Sequence, residues 1–168
     1  MKVLLGLEKK LQTIKKTNAA RFLDTLKIEY ELLSYEVGDD LSAICVANKT
    51  GQDIKYIYKT IVCEGKNSLY VGCIQGDLEL DLKAFAKAVN EKSLSLLKLD
   101  KLKDKTGYIR GGCSPFGMKK DFIRFIDERA LELDYFVVSA GLRGLQLKID
   151  SKYIKNLFQI AKISSNNE

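Results

Sequence analysis

The sequence predicts one mixed α/β domain of the α+β type, in which most strands pair in hairpins and helices pack around them. A length of 168 residues fits one compact domain. Hydrophobic residues make up 46% of the chain and charged residues 30%, which is a globular composition. Strand-like alternation is interleaved with helical spacing, and no repeat, linker or low-complexity segment divides the chain.

Helices are predicted where apolar residues recur at three- and four-residue spacing behind a capping side chain. Thr17, Asp40, Asp81 and Asp150 are the expected N-caps of the second, third, fourth and sixth helices. A strand competes with the helix at residues 44–46. The predicted helices cover 4–14, 18–27, 41–49, 82–90, 121–133 and 151–163.

Strands are predicted where apolar and polar residues alternate between turn residues. The turn Gly65-Lys66-Asn67 joins two of them into a hairpin. Leu and Lys alternate over 94–105, where helix and strand both remain open. The predicted strands cover 30–37, 56–64, 68–74, 135–139 and 145–149.

The chain contains no histidine. That excludes a Ser-His-Asp triad, a Cys-His pair, a histidine general base and a His-ligated metal. Any chemistry must come from other side chains, from backbone amides or from the substrate. No metal-ligand spacing and no phosphate-binding loop motif is present, so the sequence predicts neither a metal nor a cofactor.

The charge balance favours an anionic partner. Twenty-eight Lys and Arg residues face 22 Asp and Glu, which gives a formal net charge of +6. Nucleic acid is the simplest such partner, because lysine and arginine neutralise phosphates. A solvated lysine-rich surface is the competing interpretation.

The four cysteines are scattered and form no C-x-x-C pair, so they are expected to be reduced and structural. Reduced cysteines indicate the cytoplasm. No apolar run reaches the length of a membrane span, and the first seven residues do not resemble a signal peptide.

Lys59 is the first unusual residue. Strand alternation places it on one face with Ile57, Ile61 and Cys63. An ammonium group on an apolar face is costly unless it has anionic partners or lines a pocket. The alternative is a lysine whose amine reaches past the edge of the sheet to water.

A glycine-rich loop, residues 111–117, is the second candidate. Glycine lets backbone amides approach a substrate closely, and Pro115 stiffens the loop. A tight crossover without a ligand is the alternative. Ser139, at the end of an apolar strand, either offers a hydroxyl to a pocket or caps a turn. Arg143 contacts either a phosphate or a surface carboxylate, and an ion pair is the stronger expectation.

These segments, in this order, resemble the YbaK/EbsC family of aminoacyl-tRNA deacylases, which is related to the editing domain of bacterial prolyl-tRNA synthetases. The most specific match is G-Y-x-x-G-G-x-S-P-x-G-x-K-K at 107–120, after the strand Tyr58-Lys59-Thr60. Further matches lie at 16–19, 30–36 and 138–145.

The resemblance implies a compact, barrel-like mixed sheet with flanking helices over residues 16–163. Residues 1–15 would be a helical extension of the usual start, and residues 164–168 are expected to form a frayed tail.

The resemblance also implies roles for individual residues. Lys59 would be the catalytic residue. One departure concerns Gln146, because some members carry an acidic residue there, which puts a role for that carboxylate in doubt. The residues expected to line the pocket or hold the aminoacyl ester are Tyr35, Thr60, Gly111, Gly112, Cys113, Ser114, Pro115, Gly117 and Ser139.

The implied activity is removal of cysteine from Cys-tRNA(Pro) and Cys-tRNA(Cys). In the mechanism implied by the resemblance, the cysteine thiol attacks its own ester, so the enzyme needs no histidine. The expected partners are aminoacyl-tRNA and prolyl-tRNA synthetase. Two alternatives stay open: an Ala-tRNA(Pro) deacylase, and a non-catalytic module that binds tRNA or a synthetase.

Overall fold

The computed structural model describes residues 16–166. The helical extension predicted for residues 1–15 lies outside the described residues. Within the described part of the chain, no helix is both long and apolar enough to cross a membrane.

The described residues form ten strands and five α-helices. The helices are α1 (Asn18–Thr25), α2 (Ala43–Thr50), α3 (Leu82–Ala88), α4 (Leu99–Thr106) and α5 (Ile154–Leu157). Short 3₁₀ helices cover Ile54–Tyr56, Glu128–Glu132 and Ser151–Tyr153. The strands are β1 (Glu31–Ser34), β2 (Tyr58–Glu64), β3 (Leu69–Gln75), β4 (Glu79–Leu80), β5 (Ser95–Leu96), β6 (Ile123–Asp127), β7 (Tyr135–Leu142), β8 (Leu145–Asp150), β9 (Gln159–Ala161) and β10 (Ser164–Ser165).

The strands form two larger sheets and one two-stranded pair. The five-stranded sheet has the order β5-β2-β3-β6-β9 and is mixed, because β6 pairs in parallel with both β3 and β9. The three-stranded sheet, β1-β8-β7, is antiparallel. One isolated bridge, between Ile57 and Val137, connects the two sheets. The expected mixed sheet with flanking helices is confirmed, with its strands divided between these two sheets.

Several local predictions are confirmed by their hydrogen bonds. The β2–β3 hairpin closes through the Gly65 amide, which donates to the Ser68 carbonyl at 2.9 Å. Thr17 and Asp81 cap α1 and α3 by accepting from backbone amides. Gly51 ends α2 at a φ of 67°, in the left-handed region that favours glycine.

The N-cap predicted for α2 was wrong by two residues. Ser42 caps the helix by accepting from the Cys45 amide, while Asp40 accepts from the amide of Ser42 itself. Both side chains satisfy amides of the same turn, which is why the sequence alone did not separate them. The segment 94–105, for which the sequence left both helix and strand open, contains a short strand, β5, followed by the helix α4.

The helix predicted for residues 121–133 was wrong. The segment forms β6 and then the 3₁₀ turn Glu128–Glu132. Phe125 and Ile126 are both buried, because β6 lies between two parallel neighbours with both faces covered. A strand buried on both faces shows a continuous apolar run, which also satisfies helical spacing.

The C-terminal predictions also need correction. Asp150 caps a 3₁₀ turn, and the helix that follows ends at Leu157 before strand β9. Ser164 and Ser165 pair with β4, so the tail expected to be frayed begins in a strand. The buried carboxylate of Asp127 anchors this end, because its Oδ2 accepts from the amides of Ile163 and Ser164 at 2.9 Å each.

Candidate active site

A cavity of about 370 Å³ opens where the two sheets meet. Its wall combines the first residues of β2 with the start of α2, the glycine-rich loop and facing positions of β7 and β8. The lining residues are Tyr35, Leu41, Ser42, Ala43, Val46, Ile57, Tyr58, Lys59, Thr60, Ile61, Gly76, Arg110, Gly111, Cys113, Ser139 and Gln146.

Lys59 lies in the cavity wall, half-buried, on a strand that runs beside β3. Burial lowers the pKa of Lys59 from its ordinary value, while the charges of Glu79 and Asp77 oppose that shift. Lys59 therefore brings a partly desolvated amine to the cavity wall.

No acidic side chain lines the cavity, among the residues that the structure describes. Cys113 does line it, but burial raises the pKa of its thiol to about 12. That thiol therefore stays protonated and unreactive near neutral pH. The wall offers one lysine, one arginine, hydroxyl groups and backbone amides, and it offers no obvious general base.

The side chain of Ser139 caps a turn, which is one of the two interpretations that the sequence left open. Its Oγ accepts from the Gly141 amide at 3.1 Å, although the residue also lines the cavity. Thr60 lines the cavity while its Oγ1 lies 3.8 Å from Cys73 Sγ. Tyr35 reaches the wall because its backbone amide is held by the Gly144 carbonyl at 2.9 Å.

The glycine-rich loop divides into two parts. Gly111 and Cys113 line the cavity, whereas Gly112, Ser114, Pro115 and Gly117 are not among the lining residues. Ser114 is fully buried, and its Oγ accepts from the Phe116 amide.

Gly117 is required for packing. It has a φ of 71°, and a Cβ there would lie 2.5 Å from the backbone carbon of Asn18. The second half of the loop therefore holds the first half in place, and its sequence signal reflects packing against the start of α1.

Arg143 does not make the expected ion pair. No salt bridge among the described residues includes it, and its Nε donates to the Arg110 carbonyl at 2.8 Å. Arg110, which the sequence did not single out, lines the cavity. The start of α2 and Gly76 were also missed, because only the tertiary fold brings them to β2.

Gln146 was singled out in the sequence because some members of the family that the chain resembles have an acidic residue at this position. It is 5% exposed, lines the cavity and pairs with Ser139 across β7 and β8. In this chain a neutral amide therefore occupies the place in the cavity wall where some family members have a carboxylate.

All four cysteines are unpaired thiols. No group of three or more potential Cys, Asp or Glu ligands is gathered in residues 16–166.

Comparison with known proteins adds evidence from sequence and fold. The model of the aminoacyl-tRNA editing domain matches residues 41–157. An Enterococcus faecalis protein named "Putative Cys-tRNA(Pro)/Cys-tRNA(Cys) deacylase EbsC" is 41% identical over 160 residues, which cover 93% of this chain and 98% of that protein. The chain belongs to the aminoacyl-tRNA editing domain family. The segment that matches this family contains Lys59, the glycine-rich loop, Ser139 and Gln146, whereas Tyr35 precedes it.

Solved structures share the fold of this editing domain. The crystal structure of the hypothetical protein APE2540 aligns with a TM-score of 0.81 at 16% identity, over 89% of this chain and 100% of that one. A crystal structure described as "a putative trans-editing enzyme for prolyl tRNA synthetase" aligns with a TM-score of 0.77 at 20% identity, over 89% and 96% of the two chains. At these identities the likeness establishes the fold alone.

Proposed function

We propose that this chain is a free-standing aminoacyl-tRNA deacylase that removes cysteine from Cys-tRNA(Pro) and Cys-tRNA(Cys). Support comes from membership of the editing domain family and from the name of the Enterococcus faecalis relative. The observation that carries the proposal is the position of Lys59 in a cavity wall to which the described residues contribute no acidic side chain, in a chain without histidine.

A cysteine ester brings its own nucleophile to such a cavity. The thiol sulfur attacks the ester carbonyl carbon and forms the carbon–sulfur bond of a thiolactone. The bond from that carbon to the ribose oxygen breaks, and the proton lost by the thiol ends on the ribose hydroxyl. Water then opens the released thiolactone to cysteine. Because the attack is intramolecular, correct orientation alone supplies a large rate increase.

Lys59 stabilises the negative charge that develops on the carbonyl oxygen during this attack. Its ammonium group is poorly solvated, so its electrostatic effect on a bound ester is stronger than in water. The backbone amide of Gly111, which lines the cavity, is the second source of stabilisation, because an amide at a glycine can approach the oxygen closely.

The remaining site residues orient the aminoacyl group. Tyr35, Thr60, Cys113 and Ser139 contribute to the wall that surrounds it. The volume of the cavity, about 370 Å³, lies near the lower end of the range of about 300–1,000 Å³ that is usual for ligand sites. Such a volume suits an aminoacyl group with its ribose. We assign Ser114, Pro115 and Gly117 to support of the loop that binds the ester.

The proposal includes partners and a compartment. Aminoacyl-tRNA is the substrate, and prolyl-tRNA synthetase is the proposed source of the mischarged tRNA. The aminoacylation site of such a synthetase discriminates only weakly against amino acids whose side chains are similar in size to proline. A second site that removes cysteine from the tRNA therefore improves accuracy. The four reduced cysteines fit the cytoplasm, where translation takes place.

The test is deacylation of Cys-tRNA(Pro), Ala-tRNA(Pro) and Pro-tRNA(Pro) by the purified chain and by Lys59→Ala. The wild type should act on the cysteine ester alone, because alanine has no thiol to cyclise. Lys59→Ala should lower kcat by about 10²–10³-fold, the usual cost of removing a charge-stabilising donor.

Lys66→Ala is the control, since Lys66 is an exposed lysine in the β2–β3 turn. Activity on Ala-tRNA(Pro) would show the alternative specificity. Binding of tRNA without turnover of any ester would show the non-catalytic module.

A further inference from the structure

Two arginines stand together at the rim of the cavity. Arg110 lines the cavity, and Arg143 donates from Nε to the Arg110 backbone carbonyl at 2.8 Å. Both residues are exposed. Gly111 allows this approach, because a Cβ there would lie 3.3 Å from Arg143 Nε.

Neither arginine has an acidic partner within residues 16–166. None of the ion pairs among the described residues includes Arg110 or Arg143. The hydrogen bond through Nε fixes the direction of the Arg143 guanidinium, and its two terminal nitrogens make no hydrogen bond to the described residues. A guanidinium held in this way presents a planar pair of donors that matches a phosphate.

A groove beside the β2–β3 turn is less suited to an anion. It is lined by Lys66, Lys105, Lys119 and Lys120, but three carboxylates, from Glu64, Asp104 and Asp121, share the same wall. At the cavity rim, the part of the chain that the structure describes places no carboxylate in the wall beside the arginines. Exposed apolar residues also adjoin them, since Ile109 precedes Arg110 and Leu142 precedes Arg143. An unpaired nucleotide offers a phosphate to the arginines and the apolar face of its base to these aliphatic side chains.

We propose that Arg110 and Arg143 bind phosphodiester groups of the single-stranded 3′ end of tRNA and so position the terminal ester in the cavity. This inference rests on the proposed function and names the part of the substrate that the rim recognises. It predicts that affinity for a charged substrate depends on the arginines, whereas the chemical step inside the cavity does not.

Binding is measured first, with the full chain and a fluorescent RNA hairpin that ends in unpaired CCA. Arg143→Ala should weaken binding by about tenfold, as expected for one charge-assisted contact. The slope of log K against log salt should fall by about 0.7 for each arginine removed, the value for single-stranded phosphates. Arg21→Ala, an exposed arginine of α1, makes the same change in net charge and should alter neither quantity.

A blunt hairpin without the CCA end separates the single strand from phosphate in general. We expect binding to this RNA to be equal for the wild type, Arg110→Ala and Arg143→Ala. If the arginine variants weaken binding to the blunt RNA as much as to the CCA-ended RNA, the assignment to the 3′ end is wrong. Equal binding of CCA-ended RNA by Arg143→Ala and Arg21→Ala would also overturn it.

Deacylation is measured separately, on Cys-tRNA(Pro) and on 3′-O-cysteinyl-adenosine, which has no phosphate. Arg143→Ala should raise KM for the tRNA substrate about tenfold and leave turnover of cysteinyl-adenosine unchanged. An equal loss on both substrates would mean that Arg143 acts only by supporting the glycine loop, and would contradict the proposal. If the wild type binds CCA-ended RNA through the arginines but cleaves neither ester, the proposed function fails while the binding site stands.

Discussion

The hydroxyl of Tyr108 donates a hydrogen bond to the backbone carbonyl of Phe116 at 2.6 Å, in a buried position. This bond ties a residue that precedes the glycine-rich loop to one near the end of that loop, eight positions later. The Tyr108 ring also packs against Gly141, where a Cβ would lie 2.7 Å from the ring. The cavity wall at Gly111 and Cys113 therefore depends on contacts made outside the cavity.

Tyr108→Phe tests this dependence. The variant leaves the Phe116 carbonyl buried without its partner, so the free energy of unfolding should fall by about 1–2 kcal/mol. Denaturant unfolding measures it. Tyr153→Phe is the matched control, because the Tyr153 hydroxyl makes no hydrogen bond to the described residues. Equal stability of the two variants would contradict a role for this bond in holding the loop.

Gly111→Ala separates backbone strain from cavity geometry. Gly111 has a φ of 82°, and an added Cβ would lie 3.1 Å from Leu41 Cδ1 and 3.3 Å from Arg143 Nε. Gly51→Ala is the control, since its φ is 67° and nothing lies within 4 Å of a Cβ. Both variants should lose about 1–2 kcal/mol of stability, from left-handed backbone strain.

Only Gly111→Ala should also lose activity, by about 10- to 100-fold in kcat/KM, because the loop must shift against its neighbours. Steady-state deacylation of Cys-tRNA(Pro) measures this. A Gly111→Ala enzyme as active as Gly51→Ala would mean that the loop backbone does not shape the site.

The pH dependence of deacylation should report two groups. Activity rises as the substrate thiol ionises, near its free pKa of about 8.5. It falls again at higher pH as Lys59 loses its proton, and this fall begins below the ordinary lysine value of 10.5 because burial lowers the pKa of Lys59. The measurement is the enzymatic rate after subtraction of spontaneous ester hydrolysis.

Lys59→Arg retains a positive charge to a pKa above about 12. The fall at high pH should therefore vanish in this variant, whatever its absolute rate. An unchanged fall at high pH would assign it to another group.

Asp127→Ala tests the role of the C-terminal strand. The buried carboxylate accepts from the backbone amides of Arg129, Ile163 and Ser164. Its removal leaves these donors without an acceptor, so stability should fall by at least about 3 kcal/mol. Asp53→Ala removes a carboxylate that accepts from one exposed amide and should cost far less. Thermal unfolding of both variants checks this, and similar losses would contradict the anchoring role.

The parts of the fold that were predictable depend on local signals. Alternation along β2 singled out Lys59, and caps such as Thr17 and Asp81 fixed helix starts. The strand at 123–127 and the pairing of Ser164 were missed, because their partners β3 and β4 lie far away in sequence. A buried parallel strand has no alternation, and a two-residue strand has too few residues to show any.

The site was predictable to a similar degree. Glycine spacing marked the 111–117 loop, but it did not show that Gly117 packs against Asn18 whereas Gly111 lines the cavity. That division depends on which face of the loop meets α1. Arg110 and the start of α2 had no signal, since their place in the wall follows from tertiary packing.

The central claim is that the nucleophile arrives with the substrate, and the most direct measurement compares Cys-tRNA(Pro) with Ser-tRNA(Pro). Cysteine and serine have similar size, but a hydroxyl is a far weaker nucleophile than a thiol at neutral pH. In single-turnover deacylation by the wild-type chain, the account predicts that the cysteine ester reacts at least about 10²-fold faster. Equal rates on the two esters would contradict it.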